Sequence, residues 1–158
     1  MLMGVIFQAK CSRFKKPIDL LNVHLRPPLS FTANSYFHYD HLLCYLYKTT
    51  AIRKLELESL LNQMPNQLEK PWLICGDFNE SNWGSAWKYL VQQRFKDALD
   101  ESSEKTTWYW PLIGRLELWG SFDHVFYNPK EFCLKKCEVF VEYKGASDHL
   151  PVLATFED

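Results

Sequence analysis

The sequence predicts an α/β domain of layered type, and three observations carry that expectation. Trp72-Leu73-Ile74-Cys75 is a continuous apolar run stopping at Gly76, as in a strand buried on both faces. Leu57, Leu60, Leu61 and Met64 form an i, i+3, i+4, i+7 stripe, and Trp87, Leu90, Val91 and Phe95 form a second, so amphipathic helices alternate with strands. Short strand-like segments bounded by Pro, Gly and Asn fill both ends of the chain. With 158 residues and no internal repeat, low-complexity tract or linker, residues 1–158 read as one domain.

The elements follow in order. Val5-Ile6-Phe7 and Ile18–His24 read as two strands separated by the basic turn Lys15-Lys16-Pro17. In the second strand Asn22 and His24 alternate with Leu21, Val23 and Leu25, which point the other way. Pro27-Pro28 forbids continuation of the ladder, so His24 sits where the strand leaves the sheet. The aromatic segment Phe31–Tyr47 follows no single period; core, then a partner surface, then membrane contact is the order of its readings. The Leu57 helix has an i,i+4 pair in Lys54 and Glu58 and ends at Pro65. The Trp87 helix has Ser81 or Ser85 as its expected N-cap. Phe122–Tyr127, Glu138–Tyr143 and Pro151–Phe156 complete the order β-β-α-β-α-β-β-β, with turns at Asn128-Pro129 and Gly145-Ala146-Ser147.

Composition narrows the function classes. Lys+Arg number 18 against 19 Asp+Glu, a net charge of −1, which argues against tight nonspecific binding of duplex nucleic acid. At 47% hydrophobic residues the chain is too apolar for disorder, and a domain of this size sustains a core without staples. The five cysteines, at irregular spacing, do not form a disulfide framework, and a reducing compartment is expected. Cys133 and Cys137 supply half of a zinc site with no second pair to complete it, and His38 with His41 is a weaker alternative. The apolar stretch Met1–Phe7 precedes its basic residues, the reverse of a secretory signal, so an intracellular protein, cytoplasmic or nuclear, is expected. No apolar run reaches transmembrane length.

Chemistry concentrates at strand ends: Asn22-Val23-His24, Gly76-Asp77-Phe78-Asn79 and Ser147-Asp148-His149, with Asp123 in Phe122–Tyr127. Each alone has an ordinary structural explanation: a bonded histidine, an aspartate turn, or Asp123 paired with His124 at the surface. Together, two histidines, three aspartates and an asparagine exceed what turns supply. In a layered α/β domain, strand ends converge on one crevice.

These motifs resemble those of the endonuclease/exonuclease/phosphatase superfamily: Asn-Val-His-Leu at His24, Gly-Asp-Phe-Asn at Asp77 and Asn79, Phe-Asp-His-Val at Asp123, and Ser-Asp-His-Leu-Pro at Asp148-His149. Thr107-Trp108 is similar to a further recurrent position, and the resemblance runs from Gly4 to Phe156. It implies the DNase-I-like layered sandwich and hydrolysis of a phosphodiester or phosphomonoester by in-line attack of water. His149 would be the general base or the histidine holding the scissile phosphate, with Asp123 fixing its tautomer. Asp77 would orient the water, Asn79 would donate to a phosphate oxygen, and His24 would bond another oxygen or protonate the leaving group. Asp148 would help hold Mg²⁺ or Mn²⁺. The substrates implied are nucleic acid, phosphoinositide or phospholipid headgroup.

The family pattern also has an Asn, and then a metal-binding Glu, upstream of the part matched by Gly4–Leu25. No acidic residue precedes Asp19, which does not match that Glu. The resemblance therefore implies the C-terminal portion of the fold. It leaves an alternative, a catalytically impaired remnant serving as a binding or interaction module, with Phe31–Tyr47 as a partner surface.

Overall fold

The computed structural model describes residues 3–10, 17–27, 39–63, 72–111 and 116–157. Five strands form one sheet in the order β1-β2-β3-β7-β4: β1 (Met3–Ala9), β2 (Ile18–His24), β3 (Trp72–Asp77), β7 (Asp123–Tyr127) and β4 (Lys96–Asp97). The β2–β3 pair is parallel, and helix α1 (Tyr39–Asn62) lies between them in the chain, as a parallel connection requires. Helix α2 (Ser85–Gln92) follows β3. Two hairpins complete the described residues: β5 (Trp108–Pro111) with β6 (Glu117–Gly120), and β8 (Cys133–Val139) with β9 (Val152–Glu157).

Alternation along the strands divides the core in two. Leu21, Val23, Ile74 and Phe126 pack with Leu57 and Leu61 of α1 and with Ala86 and Leu90 of α2. The opposite face of the sheet, with Ile18, Leu73, Val125 and Tyr127, meets Cys137, Val139, Val152, Ala154 and Phe156 of the β8–β9 hairpin. The layers are thus helices, central sheet and hairpin. Each fully buried Leu or Phe contributes about 1.5–3 kcal/mol.

Several expectations are met in detail. Leu21, Val23 and Leu25 are buried while Asn22 and His24 are exposed, and Lys54 lies 3.5 Å from Glu58. Others are corrected. The strand expected at Glu138–Tyr143 lies earlier, at Cys133–Val139, and Val141–Tyr143 is a short 3-10 turn. A register shift between Leu134 and Lys136 breaks the alternation there. The short β4 and the β5–β6 hairpin were not expected. Neither Ser81 nor Ser85 caps α2: its N-cap is Gly84, and the Glu80 carboxylate accepts from the amides of Ala86 and Trp87. Of the aromatic segment Phe31–Tyr47, residues 31–38 lie outside the described residues, and from Tyr39 the backbone is helical. Met64, Pro65 and His38 also lie outside them. Cys137 is buried, and burial pushes its thiol up to about 11. Among the described residues no helix is long and apolar enough to cross a membrane.

Candidate active site

Strand register builds the site. His24, the last residue of β2, stands opposite Asp77, the last residue of β3, and Asp77 stands opposite Asp123, the first residue of β7. Three chemically active side chains therefore occupy neighbouring positions across one sheet edge, a strand spacing of about 4.8 Å apart. Gly76 makes the approach of β2 to β3 feasible. Its φ is +129°, and an added Cβ would fall 2.0 Å from the Val23 carbonyl oxygen.

His149 arrives from the segment before β9. Trp108 forms a bridge with His149, the Tyr109 amide donates to the Asp148 carbonyl at 2.8 Å, and the Leu150 amide donates to the Thr107 carbonyl at 2.7 Å. The buried Thr107 hydroxyl in turn accepts from the amides of Phe122 and Asp123 at 2.9 and 3.0 Å. Thr107 thus ties the Asp123 segment to the His149 segment, and His149 Nδ1 lies 2.8 Å from Asp123 Oδ2.

Asp77 is the hub. Its Oδ2 lies 3.6 Å from His24 Nε2 and 4.0 Å from His149 Nε2, and its Oδ1 accepts from the Asn79 amide at 2.8 Å. Burial raises the Asp77 carboxyl above the ordinary aspartate range, reinforced by the Asp123 charge, although the Asn79 amide pulls the other way. His149 is raised as well: burial opposes its charge, but the Asp123 hydrogen bond and the Asp123, Asp77 and Asp148 charges outweigh burial.

Asn79 and Asp148 complete the expected set. Asn79 is buried with φ at 53°, and its amide nitrogen donates to the Leu25 carbonyl and to Asp77 Oδ2, both at 2.9 Å. It orients Asp77 and joins the ends of β2 and β3. Asp148 is exposed and accepts from Trp108 Nε1 at 3.3 Å, so it stands outside the group in which Asp77, Asp123 and His149 offer ligand atoms within 4.8 Å of one another. Two carboxylates there are hard oxygen donors of the kind Mg²⁺ or Mn²⁺ takes.

His124 does not pair with Asp123. Neighbours along a strand face opposite ways, and His124 is buried with Nδ1 2.6 Å from Asp97 Oδ2 and Nε2 2.9 Å from the Glu80 carbonyl. A carbonyl only accepts, so Nε2 carries a proton. Burial opposes the cation, but Asp97 outweighs it and raises His124. Asp97, Glu80 and Arg53, which the sequence reading missed, form this buried polar layer under the site. Only the acidic residue directly after Gly-Asp-Phe-Asn hinted at it.

The same layered fold is seen in solved structures of low sequence identity. A functionally unknown conserved protein from Enterococcus faecalis V583 superposes with a TM-score of 0.69 at 18% identity, over 97% of this chain and 55% of that one. An endonuclease/exonuclease/phosphatase family protein from Leptotrichia buccalis C-1013-b gives 0.65 at 18%, over 98% and 54%. The human Nocturnin catalytic domain gives 0.67 at 16%, over 98% and 53%. The chain spans about half the length of these structures. A comparison with curated protein sequences gives no match. Residues 11–149 match the Endonuclease/Exonuclease/phosphatase family, a span that includes every strand end of the site. The chain belongs to the endonuclease/exonuclease/phosphatase family.

Proposed function

We propose that this chain is a phosphoesterase that hydrolyses its substrate by attack of an activated water beside Asp77. The observation that carries the reading is the Asp123–His149 pair at 2.8 Å, set against the hub carboxylate that faces both His149 and His24. Phosphoryl transfer needs positioning and charge neutralisation more than covalent help, and this edge offers both.

Asp123 holds Nδ1–H of His149 and so directs Nε2 toward the hollow. The raised pKa of His149 favours its imidazolium, which donates to a phosphoryl oxygen as negative charge develops there. Asp77, raised by burial, orients the water and takes up its proton. His24, with its side chain 52% exposed at the rim, binds a second oxygen or protonates the leaving group. Asn79 keeps the Asp77 carboxylate in place. Asp77 and Asp123 would hold Mg²⁺ or Mn²⁺, which when bound neutralises phosphate charge and polarises the ester. The Nocturnin domain, similar in fold, carries a bound sulfate anion, a tetrahedral oxyanion like phosphate.

A Mg²⁺-dependent screen of the chain against single-stranded DNA, RNA, inositol phosphates, a phospholipid headgroup ester and a generic diester tests the reading. Turnover that is lost on chelation, and in both Asp77→Ala and His149→Ala, is the expected result. Saturable binding of one of these esters without turnover would favour the binding-module alternative.

A further inference from the structure

Helix α1 grips the ends of both site-bearing strands. Just beyond β2, Arg26 is held on both backbone groups: its amide donates to Glu56 Oε2 at 3.1 Å and its carbonyl accepts from Arg53 Nη1 at 3.3 Å. Arg26 Nε also lies 3.3 Å from Glu56 Oε1. Just beyond β3, Glu80 accepts from Arg53 Nε at 2.9 Å, and the two side chains are only 3% and 0% exposed. Arg53 Nη2 donates to the Thr50 hydroxyl on its own helix, and the second Glu80 oxygen accepts from the Ala86 and Trp87 amides in the first turn of α2. One guanidinium therefore bridges the exit that carries His24 and the exit that carries Asp77 and Asn79. Between those exits run the bonds Leu25 N–H to the Asp77 carbonyl and Asn79 Nδ2 to the Leu25 carbonyl.

We propose that Arg53 and Glu80 are positioning residues, a buried ion pair that fixes the placement of Asp77 relative to His24. For turnover, this deepens the phosphoesterase reading and rests on it. A buried pair of this kind is a costly way to gain stability, because desolvation offsets most of the attraction. What it supplies is direction: the planar fork of Arg53 meets acceptors from two strand exits and its own helix at once, which a lysine ammonium cannot do in the same plane. A shift of about 1 Å at reacting groups costs on the order of a hundredfold in rate.

The test uses two substitutions that keep most of the packing. Arg53→Lys retains the charge and loses the fork; Glu80→Gln retains an acceptor for the α2 amides and loses the charge. Amide hydrogen exchange is read first. Leu25 and Asn79 should exchange about tenfold faster in either variant, while β7 amides stay at wild-type rates. On a substrate found in the screen, kcat should fall by about 10- to 100-fold with KM changed by less than about threefold. Unchanged exchange at Leu25 and Asn79 in a folded variant overturns the proposal, as does acceleration spread evenly over all amides. Should Arg53→Lys fail to fold, Glu80→Gln decides by the same readings. A wild-type chain inactive on every ester would sink the phosphoesterase reading alone, since the exchange result still decides whether the pair holds the two exits.

Discussion

Asp123 Oδ2 lies 2.8 Å from His149 Nδ1, although the two residues are 26 positions apart and are brought together by Thr107. That contact converts two unremarkable side chains into an oriented imidazole. Asp123→Asn keeps the shape and removes the charge. It should lower turnover by about 100-fold or more, the scale at which general acid–base groups act, and should move the pH profile because His149 loses its main partner. An unchanged profile in steady-state kinetics would remove His149 from the mechanism.

Thr107 gives a stability prediction at the same joint. Thr107→Val preserves volume but leaves the Phe122 and Asp123 amides without an acceptor, at a cost of about 1–3 kcal/mol. Thr107→Ser retains the hydroxyl and should lie much closer to wild type. Urea denaturation of the three proteins checks the order.

Gly84 reports on Glu80. An added Cβ there would sit 2.2 Å from Glu80 Cδ, whereas the Gly84 φ of −69° suits any residue. Gly84→Ala should destabilise by about 1–3 kcal/mol, the range for overpacking. The loss should shrink when Glu80→Ala is present, so the double-mutant cycle should show coupling. Strict additivity would mean that the α2 N-terminus is capped otherwise.

The histidines set the pH dependence of stability. His149 and His124 both have folded-state pKa values above the ordinary 6.5, so each binds its proton more tightly folded than unfolded. Their contribution is fully present below pH 6.5 and is lost as pH rises through the folded values. Chemical denaturation across pH 5.5–9 should show stability declining above about 6.5, and His124→Gln should flatten part of that slope.

The sequence made His24 and Asp77 readable because each ends a strand with a clear apolar pattern, alternating in one and continuous in the other, while Asp123 was placed within the strand-like Phe122–Tyr127. Leu21, Val23 and Leu25 set the phase of β2, and the run Trp72–Cys75 delivers Asp77 to its end. The β5–β6 hairpin was not readable. Trp110, Leu118 and Trp119 are exposed, so hydrophobicity there marks no buried face. In β8 the irregularity between Leu134 and Lys136 resets the alternation and shifted the expected strand toward Tyr143. The cap of α2 was hidden because a carboxylate four residues before Gly84 does the work usually given to a serine. Asp148 was legible only through the Ser-Asp-His motif it shares with the family, and its carboxylate accepts from Trp108 Nε1.

The most direct test is the initial rate of phosphoester hydrolysis by the purified chain, with Mg²⁺ and with excess chelator, for wild type beside His149→Ala. Turnover is expected in wild type with Mg²⁺, with its disappearance on chelation and a loss of about 100- to 10,000-fold in the variant. Equal rates for the two proteins under saturating Mg²⁺ would contradict it.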